Sequence, residues 1–150
     1  MCSSCFRPLE GPSLLDEREF ERWFEAAKRS LESAEGDLDR GDYNWACFKA
    51  QQAAELAVKG LLHGLGMLAY GHSVSKLLQQ LEGKGLAVGG DLLQAAKSLD
   101  KYYVPTRYPN AWSEGSPHHY YTKVDASQAI DQAQEVLSWV DETWRQLKRG

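Results

Sequence analysis

The chain has 150 residues, a net charge of −4, 43% hydrophobic and 25% charged residues, the proportions of one globular domain with enough chain to bury a core. The acidic excess sits in one place, since Asp16 to Arg40 holds nine acids and five bases. That balance excludes a broad phosphate-tracking face and leaves room only for a local basic site.

The N-terminal MCSSCFRPLEGP lacks the apolar core of a secretion signal. No apolar run approaches the roughly 20 residues that span a bilayer. A cytoplasmic protein without membrane attachment is expected. Cys2 and Cys5 form a single C-x-x-C with no second pair, whereas a structural zinc site wants four ligands. Residues 1–15 therefore read as a flexible tail, and the domain is expected over 16–149, with no metal and no cofactor.

Five helical segments follow. In the first, Phe20, Trp23, Phe24, Ala27, Leu31, Ala34 and Leu38 recur at steps of three and four, with charges between them. Gly41 ends it and Asp42 is placed to cap the next helix. The second segment carries the longest stripe, Tyr43, Ala46, Cys47, Ala50, Ala53, Ala54, Ala57, Val58, Leu61, Leu62 and Leu65. Its alanines admit a close helix neighbour, so it is expected at the centre of the bundle, with Cys47 in the core. Trp45, Phe48 and Leu56 lie off the stripe and read either as packing a second neighbour or as an exposed subunit interface.

GLGMLAYGHS then breaks the chain before a short helix carrying Val74, Leu77, Leu78 and Leu81, with Ser73 or His72 as its cap. EGKGLAVGGD is a second break with Asp91 as the expected cap of the fourth helix. That helix carries Leu92, Ala95, Ala96, Leu99, Tyr102 and Tyr103, and is expected to end at Val104-Pro105 because proline disfavours helix at the residue before it. Thr122-x-x-Asp125 has capping-box spacing and opens a last helix through Ala126, Ile130, Ala133, Leu137, Val140, Trp144 and Leu147. No segment reads as a strand. The fold expected is all-α, an antiparallel four- to five-helix up-and-down bundle.

The glycine breaks match no phosphate-binding fingerprint, and no nucleophile triad stands out. Glu55 and Lys59, four apart, read as a surface ion pair, and His63 as a boundary residue. His72 reads as a capping residue or a ligand contact. His118 and His119 sit between Pro117 and Tyr120-Tyr121, either solvated or helping to hold a base or phosphate.

The stretch from Val104 to Thr122 is nineteen residues without helical pattern, and loops of that length in compact bundles tend to be functional or disordered. Tyr103, Tyr108, Trp112, Tyr120 and Tyr121 give it too much capacity for burial to stay disordered. The aromatics either cover the open end of the bundle or form a site. Arg107 favours the second reading, because arginine binds phosphate with a planar fork and stacks on rings, and neighbouring tyrosines stack on bases.

FKAQQAAELAVKGLL, then GHSVSKLLQQL, then LDKYYVPTRYP resemble the HEPN family, in the same order from about Phe20 to Leu147. The resemblance implies a helical bundle, a two-fold homodimer, and, for many prokaryotic members, a minimal nucleotidyltransferase partner in a toxin–antitoxin pair. Many HEPN toxins are metal-independent ribonucleases whose arginine is followed, after four to six intervening residues, by a histidine. Arg107 fits that arginine, but the expected histidine positions hold Trp112, Ser113 and Glu114, and His118 and His119 lie eleven and twelve residues past Arg107. The resulting expectation is a non-catalytic, dimeric nucleotide- or RNA-binding module partnering a nucleotidyltransferase. Its ligand residues would be Arg107, Tyr103, Tyr108, Trp112, His118, Tyr120, Tyr121 and His72. The alternatives are a ribonuclease using Arg107 with His118 or His119, and a purely structural accessory subunit.

Overall fold

A computed structural model describes residues 15–150; Cys2 and Cys5 lie outside the described residues. Helix α1, Glu17–Arg40, starts where the Asp16 carboxylate accepts the Glu19 amide at 3.1 Å. It ends at Gly41, which takes a φ of 86° and returns its N–H to the carbonyls of Asp37 and Leu38. A left-handed φ of this kind is what glycine supplies at a helix end.

Helix α2, Tyr43–Gly64, follows after a two-residue turn. Asp42 stands at its N-cap position without a capping bond, because its carboxylate faces Arg40 at 3.4 Å instead. The α1–α2 pair is antiparallel: the Asp16 amide, at the start of α1, donates to the Gly64 carbonyl, at the end of α2, at 2.7 Å. As expected, α2 is central, packing against α1, α3, α4 and α5, and its alanine stripe and Cys47 are wholly buried. Gly60 and Gly64 extend the small-residue face. A Cβ would stand 2.9 Å from Trp23 Cβ at Gly60 and 2.6 Å from Trp144 Cζ3 at Gly64.

Helix α3, Val74–Glu82, is capped by Ser73, whose hydroxyl accepts the Lys76 amide at 3.2 Å. Helix α4, Gly90–Asp100, starts from an extended Gly89, and Asp91 falls in its first turn rather than at the cap. The Gly89 carbonyl accepts the Leu93 amide at 3.1 Å and so opens the helix two residues ahead of Asp91. The helix also stops at Asp100, short of Val104. Its continuation is intercepted by side chains: Thr106 Oγ1 donates to the Tyr102 carbonyl at 2.7 Å and Arg107 to the Tyr103 carbonyl. These carbonyls are ones a longer helix would have given to backbone amides.

Helix α5, Lys123–Arg149, has both halves of the Thr122/Asp125 capping box. Trp144 near its end packs against Gly64 and stacks on Phe20 at 4.3 Å, while Asp125 in its first turn acts on Cys47 near the start of α2. Helices α2 and α5 therefore run in the same direction. The break before α3 brings the chain back along α2, where the His72 carbonyl accepts the Gln51 side-chain amide. Helices α3 and α4 then run out and back, the end of α4 meeting the start of α3 at Asp100 and Val74. The result is an all-α bundle of five helices, with no strand among the described residues. No helix of the described residues is long and apolar enough to cross a membrane.

Candidate functional site

The chain after α4 is pinned at two points. Thr106 is fully buried, and its carbonyl accepts Nδ2 of Asn44, a buried polar residue of α2, at 3.0 Å. Trp112 donates its indole N–H to the Pro105 carbonyl at 2.7 Å. Two 3-10 turns, Pro109–Ala111 and Pro117–His119, carry the chain on to α5. The aromatics thus order this long connection by burial and by capping its backbone carbonyls.

Arg107 is the best-held charged side chain in this connection. Its Nε and Nη2 donate to the Tyr103 carbonyl at 2.9 Å and 2.6 Å. The guanidinium carbon lies 4.1 Å from the ring centre of Phe48, 4.8 Å from Tyr103 and 5.0 Å from Tyr108. Guanidinium has five N–H donors in a fixed plane, and the Tyr103 carbonyl engages Nε and Nη2, so the Nη1 edge remains for an anion. Stacking on rings orients the group without neutralising it.

His72 joins the same cluster from the break before α3. Its ring stacks on Tyr103 at 4.2 Å with an interplanar angle of 15°, and its Nδ1 lies 3.2 Å from Glu55 Oε2. Ser73 does the capping, so the imidazole is left for other contacts. Glu55 is buried at 5% exposure, which overturns the expectation of a surface pair with Lys59. Lys59 Nζ stands 2.9 Å from Oε2, and Gln51 and Gln52 donate to Oε1 at 3.2 Å each. Gln51, wholly buried, also donates to the His72 carbonyl at 2.8 Å. A buried carboxylate of this kind is retained only with such partners.

A cleft of about 340 Å³ opens beside this cluster, lined by His72, Ser73, Asp100, Lys101, Tyr103, Val104 and Pro105. Asp100 is turned inward. It accepts the amide of Val74 at 2.6 Å and the hydroxyls of Ser73 and Ser75 at 2.8 Å and 2.6 Å. One carboxylate from the end of α4 therefore satisfies the open N-terminus of α3, and the cleft wall is built from both helices.

Trp112, Tyr120 and Tyr121 form a second aromatic set. Trp112 stacks on Tyr120 at 4.0 Å and meets Tyr121 edge-on at 5.8 Å, and Tyr121 continues to Tyr102 at 6.0 Å. Burial pushes the hydroxyls of Tyr102 and Tyr121 up to about 12, with Cys47 and Asp125 adding to it. Burial likewise raises the Cys47 thiol to about 12, with a further contribution from Asp125.

Arg107 and Tyr103 are thus brought together on Phe48, with Tyr108 joining through Arg107 and His72 through Tyr103, while Trp112, Tyr120 and Tyr121 form a separate stack. His118 and His119 pair with each other at 4.1 Å, and His118 Nδ1 meets Ser116 Oγ at 2.9 Å. No hydrogen bond or ring contact among the described residues links either to Arg107. Of Trp45, Phe48 and Leu56, which read either as packing a second neighbour or as an exposed subunit interface, Trp45 alone is exposed, at 43%. Phe48 is half-buried under Arg107, and Leu56 is half-buried against the core. Among the described residues no three His, Cys, Asp or Glu side chains converge as metal ligands.

Sequence reasoning does not single out Phe48, Gln51, Glu55 or Asn44 as ligand-site residues. A signal for the first three exists: Phe48, Gln51, Gln52, Glu55 and Lys59 recur at steps of three, one, three and four. This largely polar stripe runs along one face of α2, and a buried helix has no reason to keep it unless something packs on it.

The HEPN domain family profile matches residues 20–143. Three solved structures are similar. TT1696 from Thermus thermophilus is 49% identical, with a TM-score of 0.80 over 82% of this chain and 96% of that one. ST0689, an archaeal HEPN homologue, is 44% identical, with a TM-score of 0.71 over 83% and 96%. An HEPN domain protein from Thermotoga maritima, TM0613, is 33% identical, with a TM-score of 0.67 over 83% and 98%. No curated protein matches.

Proposed function

The chain belongs to the HEPN domain family, and from that premise we propose that it is a non-catalytic, dimeric module that binds a nucleotide or RNA and partners a minimal nucleotidyltransferase in a toxin–antitoxin-like pair. One observation carries the binding assignment. Arg107 is clamped between the Phe48 ring at 4.1 Å and the Tyr103 carbonyl, with its Nη1 edge left over. A guanidinium held this way meets a phosphate with little ordering still to be done. Tyr108, 48% exposed, supplies a face for a base beside it. Trp112, His118, Tyr120 and Tyr121 extend the surface for a longer strand.

The non-catalytic reading is supported by Trp112. It stands where the ribonuclease motif calls for histidine, and its indole N–H is committed to the Pro105 carbonyl at 2.7 Å. The dimer is supported by the exposed Trp45 at the edge of the same cluster, packed against Phe48 at 6.1 Å. Titration with mononucleotides and short RNA, repeated on Arg107→Ala, tests the site, and equal affinities remove it. Light scattering tests the dimer, and a 16.8 kDa species at micromolar concentration removes that.

A further inference from the structure

Helices α1 and α5 run antiparallel, with Glu17 paired to Lys148 and Phe20 stacked on Trp144 at one end. Further along the pair, both helices line a groove of about 320 Å³. Its apolar part is the half-buried Phe24 with the buried Leu31 and Leu137. Of the four charged side chains that line it, three are acids, Glu32, Glu35 and Asp141. The fourth, Lys28, is engaged already, its ammonium 3.7 Å from Glu25 and 5.6 Å from the centre of the Phe24 ring. Glu32 faces Arg29 at 3.7 Å and Asp141 faces Arg145 at 3.0 Å, but both arginines lie outside the lining. Surface pairs of this kind hold little energy and leave the acids open to a further cation. The acidic character is local, since the adjoining hollow, which shares Phe24 and Lys28, adds Arg18 and Arg22 against Glu21 and Glu25.

We propose that this groove docks a basic amphipathic helix of a partner protein. The helix lays apolar side chains over Phe24, Leu31 and Leu137 and sets lysines or arginines against Glu32, Glu35 and Asp141. Two antiparallel helices present a channel into which a third packs ridge into groove. Apolar anchors at i, i+3, i+4 and i+7 are how an amphipathic helix fills such a channel. Charge selects the occupant. Three carboxylates repel nucleic acid and acidic segments, whereas a basic segment gains both attraction and a fixed orientation from acids grouped at one end. The groove shares no lining residue with the Arg107 cluster, and nothing in the proposal depends on the nucleotide-binding reading.

The test titrates the full chain into a fluorescein-labelled peptide of leucine and lysine, about four helical turns long, with its leucines on one face. A shuffled isomer spreads the same leucines around the helix, and a third peptide carries glutamate for lysine. The wild-type chain is expected to bind the one-faced lysine peptide about tenfold more tightly than either control. Glu32→Lys/Glu35→Lys is expected to lose about tenfold of that affinity. Asp131→Lys/Glu135→Lys, the same charge change at exposed positions of α5 outside the lining, is expected to keep it within about twofold. No binding by the wild-type chain, equal binding of the shuffled isomer, or equal loss in the two double variants overturns the proposal. Light scattering on the proteins alone tests a second copy as the occupant. Equal masses for the wild type and Glu32→Lys/Glu35→Lys are expected, and a lower mass for the variant assigns the groove to self-association and overturns the partner helix.

Discussion

The guanidinium carbon of Arg107 lies 4.1 Å over the ring of Phe48, a side chain of the central helix. This contact carries the rigidity of the bundle core out to a charged group in the connection between α4 and α5. It also accounts for an aromatic residue on the polar face of α2. Replacing Phe48 by leucine keeps an apolar side chain there but removes the ring. The expected outcome is a stability loss of about 1 kcal/mol, on the scale of a partly buried cation–π contact, with several-fold weaker RNA binding. Urea unfolding and a binding titration read the two effects, and unchanged affinity in Phe48→Leu contradicts the role given to the ring.

Asp100 holds the N-terminus of α3 from the end of α4, taking the Val74 amide at 2.6 Å and the hydroxyls of Ser73 and Ser75. Asp100→Ala leaves these donors without their acceptor and is expected to cost about 1–3 kcal/mol. Amide hydrogen exchange at Val74 and Ser75 should accelerate first, ahead of exchange in α2. Uniform acceleration across all helices contradicts a local capping role.

Gly64 lies where α1, α2 and α5 meet. A Cβ there falls 2.6 Å from Trp144 Cζ3 and 3.1 Å from Phe20 Cβ. Gly64→Ala gains helix propensity but is expected to lose about 1–3 kcal/mol by overpacking. The pairing with Trp144 is checked by Trp144→Phe, which should recover part of the loss in the double variant.

The bundle was legible in the sequence because helical stripes are local. The alanine face of α2 and the Thr122/Asp125 box both depend on residues within a few turns of each other. The site was legible only in part, because its partners are distant in sequence. Glu55 and Lys59 have the same i, i+4 spacing whether the helix face is wet or covered, and what covers Glu55 is His72, seventeen residues on. The early stop of α4 has the same origin. Tyr102 and Tyr103 continue the helical spacing, but Thr106 and Arg107 take their carbonyls from beyond the proline. Arg107 itself stands out as a lone cation among rings, whereas its platform, Phe48, reads from sequence as packing a second neighbour or as part of a subunit interface.

Titration offers a separate check on the packing of α2 against α5. Burial raises the Cys47 thiol from its ordinary 9.0, and the Tyr102 and Tyr121 hydroxyls from 10.0, all to about 12. The unfolded chain ionises these groups first, so their contribution to stability is intact below about pH 9 and is lost as pH rises toward 12. The urea midpoint should hold from neutrality to about pH 9 and fall beyond it. A Cys2→Ser/Cys5→Ser variant should resist thiol alkylation when native and react when unfolded. A midpoint that stays level to pH 12, or ready alkylation of the native variant, contradicts the buried cluster.

The clamped guanidinium is tested most directly by the affinity for one short RNA, at a single salt concentration, of the wild-type protein, Arg107→Ala and Arg107→Lys. Arg107→Ala is expected to lose about 1.5–3 kcal/mol, the worth of a hydrogen-bonded charged group. Arg107→Lys is expected to recover only part of that loss, since lysine restores the charge without the planar fork or the stacking on Phe48. Equal affinity in all three proteins contradicts a binding role for Arg107.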